Sequence, residues 1–77
     1  MSKYQFESAN EGHFLKTIEG LKEIDPNLTI ILKTDKEPFE SDLIVKLEID
    51  ASFERVIDRL SSIKNLDQTL RTLRPIQ

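Results

Sequence analysis

Within residues 42–50, Leu43, Val45, Leu47 and Ile49 recur at every second position, with Lys46 and Glu48 between them. A period of two is that of a strand with one buried face. It is the longest clean alternation in the chain, as expected of a strand in the middle of a sheet. Tyr4-Gln5-Phe6-Glu7 alternates aromatic with polar and predicts a first strand. Leu28, Ile30 and Leu32, with Thr29, Ile31 and Lys33 between them, predict a second. Between these two, Phe14, Ile18 and Leu21, with Leu15 and Ile24 more loosely, follow helical spacing and predict a helix over 11–24. Its start can be capped by Asn10, or by a box of Ser8 and Glu11; Asp25-Pro26-Asn27 stops it. Phe53, Val56, Ile57, Leu60 and Ile63 form a second helical stripe, capped by Asp50 or Ser52 and ended at Asn65, a residue that tolerates the left-handed conformation.

The last dozen residues carry two patterns. Leu66, Leu70 and Leu73 fit helical spacing, whereas Thr69-Leu70-Arg71-Thr72-Leu73 fits a strand. A strand completes two strand–helix–strand units, and Pro75 is tolerated at the end of an edge strand, so a fourth strand is the expectation over 66–76. The order β-α-β-β-α-β is the ferredoxin-like split βαβ arrangement, α+β in class, with two helices on one face of a four-stranded antiparallel sheet. One such domain is expected over residues 1–77.

Strand parity then sorts the side chains. Tyr4, Phe6, Leu28, Ile30, Leu32 and the aliphatics of 43–49 face the helices. Gln5, Glu7, Thr29, Ile31, Lys33, Ile44, Lys46 and Glu48 line the open face. Ile31, Ile44 and Lys46, with either Leu70 or Leu73, make that face a candidate interface for a second copy or another protein. The open-face positions of the two central strands hold no aromatic residue on which a base could stack, which argues against RNA binding of the sheet type.

Charge narrows the partners further. The chain carries a net −3, unevenly spread: residues 1–50 hold six lysines against eleven acids, and 51–77 hold five basic residues against three. An acidic whole argues against a duplex-DNA binder, since phosphate neutralisation supplies most of that affinity. There is no cysteine, so neither disulfides nor thiolate metal sites are expected. No apolar run exceeds three residues, and Met1 leads into polar sequence, so a non-membrane, cytoplasmic protein is expected. With 77 residues the chain buries roughly 60–65% of its unfolded surface, and its stability margin should be thin.

Catalytic and cofactor patterns are weak throughout. His13 is the one histidine and cannot build a zinc site of the usual kind without cysteines. Glu37, Glu40 and Asp42 cluster in a loop but lack calcium-loop spacing. Gly12 and Gly20 are the only glycines, so there is no glycine-rich phosphate loop. The loop after strand one has no arginine for an acylphosphatase-type phosphate cradle, and no cysteine pair for a heavy metal. No enzymatic activity, metal or cofactor is expected.

One local pattern goes further. Asn10-Glu11-Gly12-His13-Phe14-Leu15 follows the first strand and opens the first helix. It resembles the turn of ACT-type regulatory domains, where an acidic or amide residue (often a proline), then glycine and an aliphatic begin the helix. The resemblance implies a site for a small amino-acid-like ligand at a dimer interface, with Asn10, Glu11, Gly12 and His13 as the ligand turn. Glu11 stands where proline is usual and places a negative charge beside that turn. The segment from Leu43 to Thr72 is also similar, in its order of elements, to small chaperones that bind the signal peptide of nitrate reductase. Two functions follow as expectations: a binding or regulatory module acting through protein contact or self-association, as a homodimer, or an ACT-like sensor.

Overall fold

The alternating stretch folds as a central strand with Leu43, Val45, Leu47 and Ile49 all buried against the helices. The structure, a computed structural model, describes residues 1–35 and 43–76. In chain order the elements are β1 (Ser2–Ser8), α1 (Glu11–Lys22), β2 (Thr29–Asp35), β3 (Leu43–Ile49), α2 (Phe53–Ser61), α3 (Asp67–Thr72) and β4 (Arg74–Ile76). The four strands form an antiparallel sheet in the order β2-β3-β1-β4. This is the ferredoxin-like split βαβ topology, with one short helix more than the pattern predicts. Tyr4 and Phe6 from β1 join the β3 aliphatics, Phe14, Ile18 and Leu21 from α1, Val56 and Leu60 from α2, and Leu66 and Leu73 in one core. The acid-rich loop expected between β2 and β3, with Glu37, Glu40 and Asp42, lies outside the described residues.

Local chemistry sets the helix ends. Asn10 has extended backbone, and its Oδ1 accepts from the His13 N–H at 2.9 Å, so Asn10, not a Ser8–Glu11 box, caps α1. Ser8 is instead buried on β1, and its Oγ has no hydrogen-bond partner among the described residues. At α2 the cap is Ser52, whose Oγ accepts from the Arg55 N–H at 3.2 Å. Asp25 ties two turns together: one carboxylate oxygen accepts from Asn27 N–H and the other from Asp50 N–H, both at 3.0 Å.

The C-terminal strand expected over 66–76 is corrected. Residues 67–72 are helical and only Arg74–Ile76 pair with β1. The helical spacing of Leu66, Leu70 and Leu73 prevails because Leu66 and Leu73 then both reach the core, with Leu70 packed beside them. The β1 amide that a longer strand would satisfy finds a side chain instead: Glu7 N–H donates to Thr72 Oγ1 at 2.8 Å. That hydroxyl in turn donates to the Gln68 carbonyl at 2.8 Å, fastening α3 to the end of β1. The second helix ends at Ser61 and not at Asn65; Asn65 has φ 68° within the α2–α3 connection.

At Gly20, α1 packs closely against the segment that follows α2. A Cβ there would collide with Ile63 Cδ1, and the Arg59 Nε–H donates to the Gly20 carbonyl at 3.1 Å. The Arg59 guanidinium also pairs with Glu23.

Candidate functional site

The β1–α1 turn spends most of its polar groups on itself. Asn10 Oδ1 is held by the helix cap, and a Cβ at Gly12 would come within 3.2 Å of it, so glycine leaves room for the cap. Glu11 Oε1 accepts from Lys33 Nζ at 2.6 Å, across from α1 to β2. That ammonium also lies 4.7 Å from the centre of the Phe14 ring. His13 borders an open depression of about 380 Å³, lined also by Ala9, Asn65, Asp67, Gln68 and Arg71. Asn10→Ala is expected to lower stability by about 1 kcal/mol through loss of the cap. Urea unfolding followed by circular dichroism measures this directly.

The sheet faces differ from simple parity at one strand. In β2, Ile30 pairs with Leu47 and Leu32 with Lys46, so Ile31 is an extra residue, a β-bulge. Beyond it the side chains exchange faces. Leu32, expected toward the helices, lies in the row of Lys46 and Gln5 on the open face. Lys33, expected on the open face, opposes Val45 and reaches Glu11 and Phe14 of α1. Ile44 and Lys46 lie on the open face, opposite Glu7 and Gln5 of β1, and both are half-buried. Leu73 belongs to neither face of the proposed interface: it is 7% exposed and packs in the core. The turn from α3 into β4 sends it inward.

The same bulge helps to uncover a set of aliphatics that parity hides. Ile30, Ile31 and Leu32 are 36%, 48% and 39% exposed, and Leu15 on α1 is 50% exposed. Leu15 follows Glu11 by four residues, so both project from one flank of α1, the flank that Glu11 ties to β2 through Lys33. Met1 aside, these four are all the large exposed hydrophobics among the described residues, three of them consecutive on the edge strand β2 and one on α1. Ile31, an aliphatic where alternation calls for a polar residue, is the trace of this in the sequence.

Chemistry of other kinds finds less to work with. Among the described residues no group of three or more His, Cys, Asp or Glu side chains is gathered to hold a metal ion. No described helix is long and apolar enough to cross a membrane. The groove between the helices, about 460 Å³, is bordered by Arg59 and Glu23, which engage each other. Fold and surface together define a small ferredoxin-like α+β domain. Comparison with protein-family models, with curated proteins and with solved structures finds no match to this chain.

Proposed function

We propose that the chain is a non-enzymatic interaction module that receives a protein partner along the flank formed by β2 and α1. The observation that carries this is the run of exposed aliphatics Ile30, Ile31 and Leu32 on the edge strand β2, with exposed Leu15 on α1. Single exposed aliphatics are ordinary, but three in a row on an edge strand put apolar surface beside backbone groups that no other described strand pairs. The amino-acid-sensor reading of the β1–α1 turn draws less support, because the Asn10 and Glu11 side chains already have partners within the chain.

A photoreactive side chain at Leu32 tests the proposal in the source cell, with the same group at exposed Lys3 on the open face as the control. Leu32 is expected to yield covalent adducts of discrete mass, well above those from Lys3. Equal yields, or none from Leu32, would remove the β2 flank as the working surface.

A further inference from the structure

We infer that the occupant of the β2 edge is a second copy of this chain, paired strand to strand about a two-fold axis in a closed dimer. This rests on the β2 flank being an interaction surface, and it adds the identity of the partner.

The two edges of the sheet are unlike. β4 is three residues long with Pro75 at its centre, and proline has no N–H to offer an incoming strand. The upper part of β1 that β4 leaves unpaired is occupied by α3 through Thr72. β2, at the other edge, is seven residues long and carries the three exposed aliphatics. A sheet with two open edges adds copies without limit; one with a single open edge stops at two.

The usual guard of such an edge is a lysine pointing into the path of the next strand. Lys33 is the one lysine of β2, and it is folded back onto Glu11 and Phe14 of its own α1. Its charge is thus met within the protomer and does not oppose its symmetry mate. The bulge, which on other edges acts by twisting the strand away, here sets an exposed isoleucine on the edge. An aliphatic edge is its own complement under two-fold symmetry, whereas a charged edge needs a partner of opposite sign. Antiparallel pairing of the two β2 strands would bring both copies of Ile30, Ile31 and Leu32 together.

Sedimentation equilibrium over a wide concentration series tests this with the wild type, Ile31→Lys and Ile44→Lys. The expected result is a monomer–dimer equilibrium with no larger species. Ile31→Lys, outside the ladder, should weaken it by more than about tenfold, and Ile44→Lys, on the open face, should leave it unchanged. A wild type that stays monomeric, species that keep growing beyond the dimer, or a dimer broken by Ile44→Lys and not by Ile31→Lys would each overturn the inference. If Ile31→Lys does not fold, wild-type amide exchange decides. Protection at residues 29–34 must rise with concentration, and exchange independent of concentration would overturn the dimer. A monomeric wild type that still gives Leu32 adducts with another protein would retain the interaction module and discard only its self-pairing.

Discussion

Phe6→Ala is expected to bring the protein to the edge of unfolding. Phe6 is fully buried on β1, with Val45 of β3 beside it and the helices above. Truncating a buried phenylalanine costs about 3–5 kcal/mol, from lost transfer energy and from the cavity left behind. Stability scales to roughly 4–12 kcal/mol for a chain of 77 residues, and a small core favours the lower part of that range. The substitution therefore removes a large share of the whole. Urea unfolding should show a midpoint shifted far toward zero denaturant with little folded baseline. A loss of less than about 1 kcal/mol would contradict the placement of the ring in the centre of the core.

Leu73→Glu is expected to be nearly as damaging, and Ile44→Lys to be mild. The two positions had the same standing in the sequence, as aliphatics of an open face. In the structure Leu73 is buried among core residues, whereas Ile44 is half-buried opposite Glu7. A carboxylate at position 73 would have to be buried without a partner, or expelled together with the end of α3, at a loss of several kcal/mol. A lysine at position 44 can extend over the sheet toward the Glu7 carboxylate, and its effect should stay within about 1.5 kcal/mol. Thermal unfolding of the two variants side by side separates the cases. Equal, small shifts would place Leu73 back on the surface.

That contrast also shows what the sequence makes legible. The β3 alternation, the α1 and α2 stripes and the Pro26 stop lead to the split βαβ topology, because each depends on local periodicity that tertiary packing reinforces. In the C-terminal segment local spacing outweighs the global symmetry of two strand–helix–strand units. The chain keeps both, a helix for 67–72 and a three-residue strand after it. Parity breaks in β2 for another reason: a bulge adds one residue against a partner strand, and β2 alone shows no more of that mismatch than an aliphatic at Ile31. Ile31 kept its place as an exposed residue, but Leu32 and Lys33 changed faces. The turn residues Asn10–His13 were recognisable as a helix start, and Asn10 does cap α1. Whether such a start also faces a ligand depends on side-chain partners such as Lys33, which comes from a distant strand.

The position of β1 has a consequence for the order in which the molecule can be made. Its two neighbours come late in the chain: Ser8 pairs with Leu43, and Lys3 with both Glu48 and Ile76. As the polypeptide leaves the ribosome, Tyr4 and Phe6 have no strand beside them until β3 has been synthesised. A topology built on such distant pairings folds toward the slow end for small domains, with loop closure preceding any reward from contact. The nascent chain is thus most open to misassociation early, while a central strand waits for partners still to be translated.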